Sequence, residues 1–96
     1  MATTHRAAQG GAVVIVFRGD LGSLIAVARR AQGWSQQRLA QALYMDPRNL
    51  ARIELSHIGV DLRTVVRTAN VLRYPPLVKR AMALIRETVE EYDRAA

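Results

Sequence analysis

Gly33-Trp34-Ser35-Gln36-Gln37-Arg38-Leu39-Ala40-Gln41-Ala42-Leu43-Tyr44-Met45-Asp46-Pro47-Arg48-Asn49-Leu50-Ala51-Arg52-Ile53-Glu54 holds two helix starts in close succession. Ser35 can accept a hydrogen bond from the first free N–H groups of a helix over about 36–44, with Leu39, Ala40 and Leu43 on its inner face. Asp46-Pro47 is the second start. An aspartate caps well, and proline suits the first helical position because the N–H it lacks would have no partner there. This helix is expected to run to about Ser56 with Leu50 and Ile53 inward. Only Tyr44-Met45-Asp46 separates the two, so they must turn sharply on each other.

Working outward, Leu21, Ile25 and Ala28 are spaced four and three apart and stop at Gly33, which predicts an amphipathic helix before the pair. Asp61 starts a fourth helix with Leu62, Val65, Val66, Ala69 and Leu72 as its apolar stripe. Tyr74-Pro75-Pro76 breaks the chain, and a fifth helix follows in which Val78, Met82, Ile85, Val89 and Tyr92 recur at heptad spacing. Leu77, Ala81 and Leu84 widen that seam, so it can touch both its own domain and a second copy. Packing on its own domain alone is the other reading. The fold class is therefore all-α, with five helices.

Ahead of the helices, Met1 to Gly11 reads as a disordered arm. The β-branched run Ala12-Val13-Val14-Ile15-Val16-Phe17 reads as a short strand, or else as an irregular apolar segment laid on the helices. A lone strand leaves backbone groups unpaired, which makes the same strand of a second copy its natural partner and places Val14 and Val16 in a dimer contact. Three regions follow: arm and strand at 1–20, a helical unit at 21–74, and a C-terminal helix at 75–96 offering Val78, Met82, Ile85 and Val89 for dimerisation.

The 96 residues carry 14 Lys+Arg against eight Asp+Glu, for a net charge of +6. Residues 21–74 hold a net +5, while 75–96 are neutral, which suggests a protein contact for the last helix. With half its residues hydrophobic, the chain has globular composition. There is no cysteine, and the longest apolar run has six residues against the roughly 20 of a membrane helix. A cytoplasmic location is expected, with no membrane partner. His5 and His57 lack metal-ligand spacing, and no nucleophile triad, phosphate loop or carboxylate pair is present. No enzyme, metal or cofactor is expected.

Two short helices joined by so tight a turn, on the basic part of a five-helix chain, suggest a helix-turn-helix. The second helix would enter the major groove of double-stranded DNA. Arg48 and Arg52 lie four apart on one face with Asn49 beside them; arginine can read guanine and asparagine adenine by paired hydrogen bonds. A solvated surface with scattered arginines is the alternative.

Leu21-Gly22-x-x-Ile25-x-x-x-Arg29, Gly33-Trp34-Ser35-Gln36-x-x-Leu39-Ala40, Ile53-Glu54, Leu62 and Ala69-x-x-Leu72 together resemble the Cro/C1-type (XRE) helix-turn-helix family over about residues 21–74. The resemblance implies a five-helix, lambda-repressor-like DNA-binding domain of the kind often found as dimeric repressors on palindromic operators. It places Gln36 on a phosphate, with Gln37 beside it, and Pro47, Arg48 and Arg52 at base-reading positions next to Asn49. His57, in the following loop, is a further phosphate candidate. Arg29 and Glu54 match a structural pair joining the first and third helices, and Trp34 a core position. Tyr44 stands where the family has its turn glycine and Ser56 where a glycine follows the third helix. Leu55 replaces an often polar residue, Val60 a proline, and Pro47 offers only an apolar surface.

The expected function is a sequence-specific transcriptional regulator, a homodimeric repressor. The alternative is an antitoxin-like or anti-activator protein that grips a partner protein, a toxin or another regulator, through the apolar strand and the last helix.

Overall fold

The computed structural model describes residues 2–6 and 13–95. Five helices follow one another: α1 (Leu21–Ala31), α2 (Gln36–Ala42), α3 (Pro47–Glu54), α4 (Leu62–Leu72) and α5 (Pro76–Ala95). The three anticipated caps are in place. Ser35 accepts from the Arg38 N–H at 3.0 Å, Asp46 from that of Arg48 at 2.8 Å and Asp61 from that of Thr64 at 3.1 Å. Asp20 precedes α1 without capping it; its carboxylate instead meets Arg80 of α5 at 3.1 Å. The Asp20 bond raises the Arg80 pKa.

Helices α1, α2 and α4 end alike, and so does α3. In each, a residue one or two past the end adopts a left-handed conformation and the next N–H reaches back five residues, as in a Schellman motif. Trp34, Met45, His57 and Tyr74 donate to the carbonyls of Arg29, Ala40, Arg52 and Ala69 at 2.9–3.1 Å. The left-handed residues are Gly33, Tyr44, Ser56 and Arg73, so glycine serves only one of the four ends.

Two sequence expectations are corrected at the N-terminus. The arm contains a strand, β1 (Ala2–Arg6), while Met1 and residues 7–11 lie outside the described residues. The apolar run is also not a lone strand. As β2 (Val13–Phe17) it pairs antiparallel with β1 along its whole length, and through Val16 and Phe17 with the two-residue β3 (Val60–Asp61). Pairing within the chain removes the reason for a ribbon between copies through Val14 and Val16.

The core gathers Phe17, Leu21, Ile25, Leu39, Leu50, Val65, Leu72, Leu77 and Leu84, all essentially solvent-free. The apolar stripe of α4 departs from expectation at Val66, and that of α5 divides between an inner and an outer side. On α4 the buried row is Val65, Thr68, Ala69 and Leu72, with Val66 turned outward. A buried threonine is tolerated because its hydroxyl donates to the Thr64 carbonyl at 2.7 Å. On α5 the inner row is Leu77, Ala81 and Leu84. The heptad seam lies beside it: Val78 and Ile85 are half-buried, whereas Met82, Val89 and Tyr92 are exposed. The Thr88 hydroxyl donates to the Leu84 carbonyl of its own helix at 2.8 Å and accepts from the Ala2 N–H at 3.4 Å, holding β1 on α5. No helix among the described residues is long and apolar enough to cross a membrane.

Candidate nucleic-acid interface

Helix α3 buries Leu50, Ile53 and Glu54 and exposes Pro47, Arg48, Asn49 and Arg52. The division follows from helical spacing: 50, 53 and 54 share one side, and 48, 49 and 52 another. Asp46 and Pro47 together fix where the helix begins, so the exposed side chains of its first turn are held at a defined end. Asp46 lies only 3.9 Å from the Arg48 Nε, but both groups are well exposed, and so loose a pair leaves the guanidinium free to exchange it for another acceptor.

The inward acid is what anchors α3. Glu54 receives Arg29 Nε at 2.7 Å and Nη2 at 2.9 Å, a bidentate pair between α1 and α3. The hydrogen bond to Glu54 raises the Arg29 pKa, against the opposing effect of burial. Arg29 also donates to the Trp34 carbonyl at 2.9 Å, and Gln36 Nε2 to Glu54 Oε1 at 2.8 Å. One carboxylate thus gathers α1, the loop before α2, the first residue of α2 and the end of α3. This is the structural pair that the resemblance implied, extended by Gln36.

Gln36, half-buried, therefore points partly inward, with one amide N–H and its Oε1 left for a ligand. Gln37 and His57 are exposed. Trp34 packs half-buried against the core, and the Arg38 guanidinium lies 3.9 Å from its ring centroid. Sequence reading missed that stack, although positions 34 and 38 are one helical turn apart. Gly22, part of the family pattern, has its role in packing: its missing side chain lets the α1 backbone lie against the Ile53 carbonyl of α3. Ser56 adds a third fastening, donating its hydroxyl to the Gly19 carbonyl at 2.8 Å.

Among the described residues no group of His, Asp and Glu could hold a metal ion. What remains is an exposed helix face with two arginines, an asparagine and a proline, set at a fixed angle by buried contacts behind it. Such a face can pair hydrogen-bond donors with base edges.

A helix-turn-helix family model matches residues 25–78, more than half of the chain. No curated protein and no solved structure shows a significant match. The match spans α2, α3 and α4 and covers most of the stretch that carries the sequence resemblance. The chain belongs to the Cro/C1-type helix-turn-helix family and is a DNA-binding protein of the transcription-regulator class.

Proposed function

We propose that the protein is a dimeric repressor that binds a palindromic operator, each copy reading one half-site with α3. The observation that carries this is the division of α3 into a buried, ion-paired side and an outward side of Pro47, Arg48, Asn49 and Arg52. Arg48 and Arg52 donate to guanines, Asn49 to an adenine, and Pro47 lies against a thymine methyl. Gln36, Gln37 and His57 contact flanking phosphates. A domain of this size represses most simply by occupying a promoter. Dimerisation falls to the outer face of α5, where exposed Met82 and Val89 form an apolar strip with half-buried Val78 and Ile85.

The test is a mobility shift with DNA flanking the protein's own coding region, across a salt series and against random competitor. Retardation that survives competitor and weakens with salt is expected, with protected half-sites about one helical turn apart. Equal binding to random DNA, seen at low salt alone, would overturn the reading.

The same strip on α5 favours a second reading, an antitoxin-like or anti-activator protein that grips a toxin or another regulator. Isolation of the native chain with a stoichiometric different protein on α5 would support it. A homodimer that buries that face would not.

A further inference from the structure

Away from α3, two patches of charge without an ion-pair partner among the described residues each surround apolar side chains that are at least partly open to solvent. The first lies on the outer side of α4. A groove of 670 Å³ opens between β2 and α4, with Val14, Ile15, Leu62 and Val66 lining it and Arg63 and Arg67 at its rim. Arg63 has no ion-pair partner among the described residues, and Arg67 meets only the Tyr44 ring, at 5.9 Å, which leaves its charge uncompensated. Asp61, the one acid at the groove, is already committed to capping α4. Helix α4 itself contains no acidic residue. On this side β2 is paired only through Val16 and Phe17, so the strand edge beyond them borders the groove.

The second patch is the last turns of α5. Val89 and Tyr92 are 53% and 75% exposed and stand among four acids, Glu87, Glu90, Glu91 and Asp93, against two arginines, Arg86 and Arg94. Glu87 has a loose contact with Arg80, at 3.8 Å, whereas Glu90, Glu91 and Asp93 have no ion-pair partner among the described residues. Within one chain, the neighbour of this end of α5 is β1, held at Thr88, rather than the basic side of α4.

We infer that the acidic end of α5 from a second copy seats in the groove between α4 and β2. Val89 and Tyr92 cover the apolar floor, and Glu90 and Glu91 face Arg63 and Arg67. Rim charges of opposite sign steer and orient such a contact, while the buried apolar side chains supply most of the attraction. A two-fold axis makes it reciprocal: each groove receives the other copy's helix end and the assembly closes at two. This rests on the dimer reading above and gives the α5 face its acceptor. The apolar floor favours a protein occupant over a nucleic-acid backbone, which would leave that floor wet.

The experiment is sedimentation velocity on the full chain with two charge-reversed variants, Arg63→Glu/Arg67→Glu and Glu90→Arg/Glu91→Arg. All four positions are exposed, and none holds an ion pair. Each variant alone should dissociate, its dimer weakened roughly tenfold or more. An equimolar mixture should recover dimers, because both grooves of the mixed pair then face a helix end of opposite charge. A dimer unchanged in either variant overturns the contact, as does a mixture of folded variants that stays monomeric. If thermal melting shows a variant unfolded, Arg63→Gln/Arg67→Gln replaces it, and a dimer no weaker than that of the unmodified chain overturns the contact. An unmodified chain that is itself monomeric would overturn the dimer reading too, whereas an intact dimer with insensitive variants removes this contact alone.

Discussion

Arg29 of α1 and Glu54 of α3 are fastened by two hydrogen bonds of 2.7 and 2.9 Å where neither side chain is more than 10% exposed. Glu54 also holds Gln36 and, through Arg29, the Trp34 carbonyl, so its loss leaves a buried guanidinium without a counter-charge. Glu54→Ala should destabilise the fold by about 3–5 kcal/mol. Joint replacement, Arg29→Met with Glu54→Leu, should recover most of that, since no charge is then buried. Urea unfolding followed by circular dichroism reads both. Equal loss in the single and the joint variant would show that packing around the pair, rather than its charge, holds α1 to α3.

Gly22 governs how closely α1 approaches α3. A methyl group there would collide with the Ile53 carbonyl, which is helix backbone and cannot swing aside. Gly22→Ala should therefore destabilise by about 1–3 kcal/mol and push α3 outward. Operator affinity should fall although every DNA-facing side chain is intact. Unchanged affinity in a folded Gly22→Ala protein would mean that α3 keeps its angle by other contacts.

Tyr44 and Ser56 hold left-handed conformations, with φ of 55° and 61°. Tyr44 is 89% exposed, so little packing offsets the strain. Tyr44→Gly should raise stability by about 1 kcal/mol, with a matching rise in melting temperature. Ser56→Gly should gain less, because it relieves the same strain while losing the hydrogen bond to Gly19. A destabilised Tyr44→Gly would give the ring stacked under Arg67 a structural role.

The two arginines of α3 should separate from the rest of the basic surface by what they do to specificity. Arg48→Ala or Arg52→Ala should each reduce operator affinity by about 1–3 kcal/mol and relax the preference at one or two base pairs, with binding to random DNA little changed. Titration against a panel of single-base operator variants measures this. A uniform loss across the panel would assign those side chains to phosphates.

The helix-turn-helix was legible because its signals are local: Ser35 and Asp46 cap within three residues of themselves, and Pro47 can only begin a helix. The anchoring pair of Arg29 and Glu54 was legible only through the family pattern, since nothing in either residue's neighbourhood announces a partner 25 positions away. Strand β1 was hidden for a different reason. Its sequence, Ala-Thr-Thr-His-Arg, has no apolar alternation, and it is strand because β2 offers an edge and Thr88 a hydroxyl. On α4 the expected stripe holds at Val65, Ala69 and Leu72 but not at Val66, and on α5 it divides, with Leu77, Ala81 and Leu84 inward and Met82, Val89 and Tyr92 outward. Thr68 holds an inner place and contributes too little hydrophobicity to announce it, while the more apolar Val66 points out.

The bond between Ala2 and Thr88 spans 86 positions. On the ribosome β1 is made long before α5, so its fastening at Thr88 must wait for that helix, although β2 can pair with it at once. The helix-turn-helix, built from near neighbours, can form while that strand is still without its seat. Docking of β1 on α5 is thus a late step of maturation, and the amide protons of Ala2–Arg6 should exchange with solvent sooner than those of α1 or α4.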